Sequence, residues 1–343
     1  MLSKLDIENF KSISHQTFTL KPLTILTGLN STGKSSLIQS ILLLSKSYSN
    51  TKQDVLVSLV AFISDFREIR NKYENAKSLT IKADEYSLCM DNETLKITPD
   101  EKQSQKLDYE ENLYYLSANR MGQEEIAKLS NEQKTGLNGE YIFGYFEKNK
   151  DTLLEKSLIK FPKAGHTLKA QLNEWLQYIL DLPISLQTEK ITSNNIKISF
   201  SSDGIDAINP FNLGAGNSYL AKILIVTLLC KKGDLFLIEN PEIHLHPKAQ
   251  SRLGEFFSCT AHAGIQLIVE THSEHLINKV RYQIYDSDLA DNEAVIYYKP
   301  SIRDDFIQLS IDKNGKYIDV KGKPVMFPSG FFDSTLQDLL EIG

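Results

Sequence analysis

The pattern of hydrophobic and polar positions divides the chain into stretches of different texture. Residues 3–9 and 16–20 read as short strands ahead of a third at Leu23–Thr27. A glycine-rich turn follows, then an apolar helix from Lys34 to about Ser45. Val55–Tyr73 carries apolar residues at helical spacing (Val55, Leu59, Phe62, Ile69), which predicts a helix. Ser78–Leu88 and Glu93–Ile97 are short alternating segments with hairpin potential, residues 98–111 read as a surface loop, and Tyr114–Leu116 as a short strand. Residues 121–190 read as mostly helical, with Asp151–Ile159 and Leu168–Leu180 as the helices, and partial strand alternation follows over Ile191–Phe200. From residue 211 the texture changes again. A glycine turn at 214–216 leads into an apolar helix, Tyr219–Cys230. Then come a strand at Asp234–Ile238, a helix at Pro247–Phe257, a strand at Gln266–Glu270 and a helix from Ser273 to about Tyr282. Ala294–Lys299 and Phe306–Ile311 add later strands. Strand and helix in alternation at this spacing predict a parallel sheet covered by helices, an α/β fold.

Composition narrows the class without naming a chemistry. Apolar residues make up 41% and charged residues 24%, enough for a sizeable core. The longest apolar runs are far below the roughly 20 residues that span a bilayer. The amino terminus lacks the apolar run and cleavage site of a signal peptide. The three cysteines form no CxxC pair and read as small apolar residues of a reducing compartment, so the expected location is cytoplasmic with no membrane partner. The net charge of −6 does not favour a dedicated DNA-binding module, although a local basic face is hidden by such an average.

Gly28-Leu29-Asn30-Ser31-Thr32-Gly33-Lys34-Ser35 matches the phosphate-binding loop GxxxxGK[ST], with an apolar strand before it and an apolar helix after it. Glycines let the chain wrap a phosphate, while backbone N–H groups and the helix N-terminus supply donors and partial positive charge. Asn30, Ser31, Thr32, Gly33, Lys34, Ser35 and Ser36 are therefore the candidate ATP-binding residues. Lys34 is placed to reach the β- and γ-phosphates and the Ser35 hydroxyl to ligate Mg²⁺. Such a loop needs a carboxylate at the end of a neighbouring strand, and Glu239, closing Asp234-Leu-Phe-Leu-Ile-Glu239, is the candidate for Mg²⁺ or its water. The following Asn240-Pro241-Glu242-Ile243-His244-Leu245-His246-Pro247 reads as a turn shaping the site rather than a zinc site. His272, at the end of the Gln266–Glu270 strand, is positioned to sense a γ-phosphate or its attacking water.

These segments resemble an ABC-type ATPase of the SMC-like group, in the branch of bacterial AAA-named proteins that includes the ATPase part of overcoming-lysogenisation-defect nucleases. The likeness rests on LDIENFKSI, LTGLNSTGKSSLIQSI, LFLIENPEIHLHPKAQSRLGEFF and QLIVETHSEHLINKVR, and ENPEIHLHP and the terminal FPSGFFD look like a stand-alone subgroup. The resemblance implies a P-loop NTPase head built from both chain ends over 1–343, with residues 46–210 as an inserted helical and strand arm region outside the catalytic sheet. No sustained heptad run is present, so no long coiled coil is expected. The resemblance further implies that Asn212–Ser218 stands in place of the ABC signature, with Gly216 and Ser218 touching nucleotide on the opposite subunit, and that His246 lies near the dimer seam. His272 becomes the switch histidine. Arg120 either contacts phosphate or holds a lobe junction.

One departure matters. Asn240 occupies the place where such ATPases put a catalytic Glu, and an amide is no general base. Either Glu242 polarises the attacking water, with Lys34 and His272 as the other catalytic residues, or hydrolysis is slow. The resemblance implies an ATPase subunit, pairing as a homo-oligomer around sandwiched ATP and Mg²⁺. That pairing would control a separate effector such as a nuclease, in prokaryotic defence against phage or foreign DNA. No second catalytic constellation is visible, so nuclease activity is expected from another protein. A DNA-repair or DNA-end-sensing ATPase, with DNA as partner, and a non-hydrolysing ATP-dependent scaffold are the open alternatives.

Overall fold

The structure, a computed structural model, describes residues 1–48, 58, 63, 65–98 and 107–328. Residues 55–57, 59–62 and 64 of the helix expected at Val55–Tyr73, and residues 329–333 of the FPSGFFD segment, lie outside the described residues.

The opening residues form β1 (Lys4–Phe10) and β2 (Ile13–Thr19), which pair antiparallel, then β3 (Leu23–Gly28) and α1 (Ser35–Tyr48). A single-turn helix, α2 (Phe66–Ile69), precedes β4 (Ser78–Ala83), β5 (Tyr86–Asp91) and β6 (Leu95–Thr98), which extend the first hairpin into an antiparallel sheet of order β2-β1-β4-β5-β6. β7 (Leu113–Leu116) and β8 (Ile126–Lys128) follow, then α3 (Ile142–Asn149), α4 (Leu168–Leu180), β9 (Ile184–Lys190), β10 (Asn195–Ser202) and β11 (Ile205–Ile208). The last third gives α5 (Ala215–Leu229), β12 (Leu235–Glu239), α6 (Pro247–His262), β13 (Gln266–Glu270), α7 (Glu274–Tyr285), β14 (Ala294–Lys299), β15 (Ile307–Ile311) and β16 (Tyr317–Ile318).

The central sheet runs β16-β15-β14-β3-β13-β12-β7, parallel from β14 to β7. Strands from both ends of the chain thus make one sheet, as the motif positions require. β7 corrects one expectation: it comes from the 46–210 region, yet pairs with β12 inside the catalytic sheet. A four-residue strand such as Leu-Tyr-Tyr-Leu carries too little pattern to say which sheet it joins; the parallel register Leu235↔Leu113 settles it.

Alternate residues of the central strands enter two cores. Ile25, Phe236, Ile238, Leu267, Val269 and Ile296 face the helices α4–α7. Leu26, Leu237, Ile268 and Val295 face α1 and the antiparallel sheet. Burial on both faces explains why these strands read as nearly unbroken apolar runs. α5 is apolar all round and correspondingly enclosed. Capping follows the sequence: Thr167 accepts from Ala170 N, His246 from Lys248 N and Ser273 from Leu276 N. The longest described helix is α6, at 16 residues, in keeping with a head lacking a long coil. Asp151–Ile159 is not an α-helix. Leu154 N donates to His166 O at 2.9 Å and Leu168 N to Thr152 O at 2.9 Å, so an extended antiparallel contact displaces the helical turn, leaving a 3₁₀ turn at Lys156–Leu158. No described helix is long and apolar enough to cross a membrane.

Candidate nucleotide site

β3, between β14 and β13 in the central sheet, delivers the chain into the loop 29–34, and α1 starts at Ser35. The turn needs left-handed backbone at Ser31 (φ 60°) and Gly33 (φ 95°). A Cβ at position 33 would sit 2.2 Å from Ser12 Oγ, so glycine is required there on two counts. Lys34 is buried and its Nζ donates to Leu29 O at 2.6 Å, beside a Thr32 Oγ1 bond to the same carbonyl at 2.9 Å. The ammonium is thus held over its own loop. Asn30 and Ser31 are exposed at the loop tip, while Ser36 is buried with its N–H on Gly33 O at 3.1 Å. The loop opens on a cleft of about 490 Å³ that Lys34, Ser35 and Ser36 share with Lys11, Ser12, Arg70, Tyr73 and Glu270.

Three carboxylates gather at the carboxyl ends of the strands beside this loop. Glu239 on β12 and Glu270 on β13 are register partners, and Glu270 in turn pairs with Leu26 on β3. Burial raises the pKa of Glu239, opposed by hydrogen bonds from Ala118 N and Tyr115. Burial, helped by Glu239 and Glu242, pushes Glu270 up to about 7 against a hydrogen bond from Ser35 and the charge of Lys34. Glu242 accepts from Thr271 Oγ1 at 2.8 Å and from His272 N at 2.7 Å, with its pKa raised by burial. Burial lowers the pKa of Lys34 while Glu270 and Glu242 oppose that shift, and Lys34 also helps hold His272 toward its neutral form. Lys34, Ser35, Glu242 and His272, distant in sequence, therefore meet at one place. Glu270 belongs to this group although sequence reading gave it no role; its signal was its place one residue after the apolar run of a strand flanking β3.

A second layer stands behind the carboxylates. Arg120 is buried and donates to the carbonyls of Ser117 (3.1 Å), Glu239 (2.9 Å) and Asn240 (3.1 Å). Its guanidinium lies 5.1 Å over the Tyr219 ring, which in turn lies 5.2 Å from His244. Arg120 thus ties the loop after β7 to the end of β12. Gln123 Nε2 donates to Pro210 O and Leu213 O, tying the same loop to the start of α5. Gly216 and Ser218 are buried in the chain, and a Cβ on Gly216 would lie 2.5 Å from His244 O. The exposed part of that segment is Phe211, Asn212 and Gly214. His246 is exposed and caps α6.

The donor set fits a nucleoside triphosphate with a divalent cation. A phosphate finds backbone N–H groups at the α1 N-terminus and the Lys34 ammonium. Glu270 Oε2 is buried without a hydrogen-bond partner beside the Ser35 hydroxyl. Among the described residues no group of three or more His, Cys, Asp or Glu side chains could hold a metal alone. A hydroxyl plus one or two carboxylates is what magnesium takes when phosphates and water complete its shell.

Comparison with known proteins places the fold. Residues 92–278 match the family model described as "AAA domain, putative AbiEii toxin, Type IV TA system", and residues 1–137 match an AAA ATPase domain model. A search of curated proteins finds no match. The chain is similar in fold to the solved SmcHead bound to the C-winged helix domain of ScpA, with a TM-score of 0.58 and 15% identity over 91% of this chain and 98% of that one. It is also similar to the Smc head domain with an extended coiled coil bound to the C-terminal domain of ScpA derived from Pyrococcus furiosus, with a TM-score of 0.57 and 12% identity over 99% of each chain. At these identities the likeness shows a shared ABC-ATPase-like head fold. The first family model spans more than half of the 343 residues and includes β7, β12 and β13, so the chain belongs to this AbiEii-related family of AAA ATPase domains.

Proposed function

We propose that this protein is an ATPase subunit whose heads pair around ATP and whose pairing controls a separate effector in prokaryotic defence. The observation that carries the reading is the convergence of Lys34, Ser35 and Glu270 on one cleft at the P-loop. The family description, with its AbiEii toxin, supports the defence setting. The Smc heads it resembles are bound to ScpA domains in their solved structures, which supports control through a partner protein.

Bound ATP with Mg²⁺ supplies the phosphoryl group whose transfer to water is the reaction. Lys34 and the loop N–H groups bind and orient the triphosphate. Glu242 is the candidate base. Each of its oxygens accepts one hydrogen bond, from Thr271 or His272, and a carboxylate oxygen has room for a second, so both can still face a water proton. Burial raises its proton affinity, the direction a base requires. His272, in reach of the Lys34 charge, positions the water or the terminal phosphate. Asn212 and Gly214, exposed at the start of α5, offer the surface a second head would meet. Through Arg120 and Tyr219 that surface is joined to the Glu239–Asn240 backbone.

Phosphate release by the purified chain tests the hydrolytic part. Glu242→Gln is expected to lower turnover by about 100-fold or more while leaving ATP binding in place. His272→Ala should lower it as well, again without loss of binding. Equal rates for wild type and Glu242→Gln remove Glu242 as the base. Absence of turnover in wild type, with ATP still bound, favours the scaffold reading, for which Asn240 is the specific observation: it stands at the usual base position, and its buried Oδ1 has no hydrogen-bond partner.

A further inference from the structure

The strand order β3-β13-β12 puts Glu270 one strand from the P-loop strand and Glu239 two strands away. Neighbouring strands lie about 4.8 Å apart, so this is a difference of about one strand width in reach. Glu270 lines the nucleotide cleft with Lys34 and Ser35. The Glu239 carboxylate accepts from Ala118 N at 3.2 Å, in the loop that follows β7, the strand on the far side of β12 from β13. Glu270 instead shares the cleft wall with Ser35 and keeps a buried oxygen, Oε2, without any hydrogen-bond partner. An orphaned buried carboxylate oxygen is costly unless a cation or donor meets it.

We propose that Glu270, not Glu239, is the carboxylate that works with the Ser35 hydroxyl at the cation accompanying the nucleotide. Glu239 acts one row behind it, fixing the Ser117–Arg120 loop through Ala118 and Tyr115. This inference rests on the nucleotide reading above and specifies which residue of that site meets the cation. The usual division of labour, with the cation carboxylate at the end of the β12 strand, is thereby moved one strand closer to the P-loop. The Ser35 hydroxyl, being both donor and acceptor, can bond Glu270 and still offer a lone pair.

The test counts Mn²⁺ held by the full chain in the presence of a non-hydrolysable ATP analogue, by electron paramagnetic resonance, with analogue binding measured separately without cation. Glu270→Gln is expected to weaken Mn²⁺ retention by about 10–100-fold while the analogue still binds without cation. Glu239→Gln is expected to keep Mn²⁺ retention within about threefold of wild type, a shift of under half a decade in affinity. Should Glu270→Gln fail to bind the analogue, Glu270→Asp decides, since it keeps the charge and withdraws it by one methylene; an intermediate loss of Mn²⁺ is then expected. Wild-type retention in Glu270→Gln, or loss confined to Glu239→Gln, overturns the assignment. Failure of the wild-type chain to bind the analogue at all overturns the nucleotide reading itself, and is told apart by the cation-free measurement.

Discussion

Replacing Lys34 by Ala is expected to weaken ATP binding by about 100-fold or more, the largest functional loss of any single side chain in the chain. The reason is geometric. Lys34 is the one cation of the loop itself, buried at its centre, and its ammonium rests on Leu29 O at 2.6 Å beside the cleft. Glu270 and Glu242 both stabilise its charged form. In the alanine variant the triphosphate would meet those carboxylates without a compensating charge. The fold should persist, because the Lys34 ammonium makes its hydrogen bond within its own loop, to Leu29 O. Calorimetric titration with ATP measures the loss, and affinity within a few-fold of wild type would remove Lys34 from the phosphate site.

The largest effect on stability is expected from Lys222→Met. Lys222 is fully buried on α5, where Nζ meets Glu124 Oε2 at 3.0 Å and Met121 O at 3.0 Å over the Phe143 ring. Removing the lysine leaves a buried carboxylate and a buried carbonyl without their partner, a loss of about 3–5 kcal/mol. For a chain of this size that lowers the unfolding midpoint by on the order of 5 °C. The sign of the pH dependence follows from Glu124, whose pKa burial already raises in the folded chain while Lys222 opposes. Without Lys222 the shift grows, so the folded state holds its proton more firmly than the unfolded state. Stability is then lost as pH rises from the unfolded value toward the folded one, and the deficit should be larger at about pH 8 than at about pH 5. Pairing Lys222→Met with Glu124→Gln should recover much of the loss. Thermal unfolding of the two variants checks both statements; an unchanged midpoint in Lys222→Met would show that the pair bears no load.

What was legible in the sequence was local. The strand, loop and helix around Lys34 and the apolar runs of β12, β13 and β14 announce themselves because each is specified by neighbouring residues. Caps at Thr167 and Ser273 sharpen helix starts in the same way. What was hidden depends on pairing between distant segments. Glu270 acquires its place from the insertion of β13 between β3 and β12, and a strand-end glutamate looks ordinary until that order is known. β7 joins the central sheet from within a stretch that reads as an insertion. Asp151–Ile159 carries helical spacing, yet its backbone is claimed by residues 166–168. Gly216 and Ser218 match a surface motif by position, but α5 is enclosed on all sides and takes them inside. Arg120 finds its partners, the carbonyls of Glu239 and Asn240, some 120 residues away, a pairing that no local pattern announces.

The central claim is that ATP joins two heads. Light-scattering mass of the purified chain, recorded with ATP and Mg²⁺ and again without nucleotide, tests it most directly, with Lys34→Ala carried through the same conditions. The account predicts a mass that doubles with ATP in wild type and does not change in the variant. A wild-type mass that stays the same while ATP is demonstrably bound would contradict it.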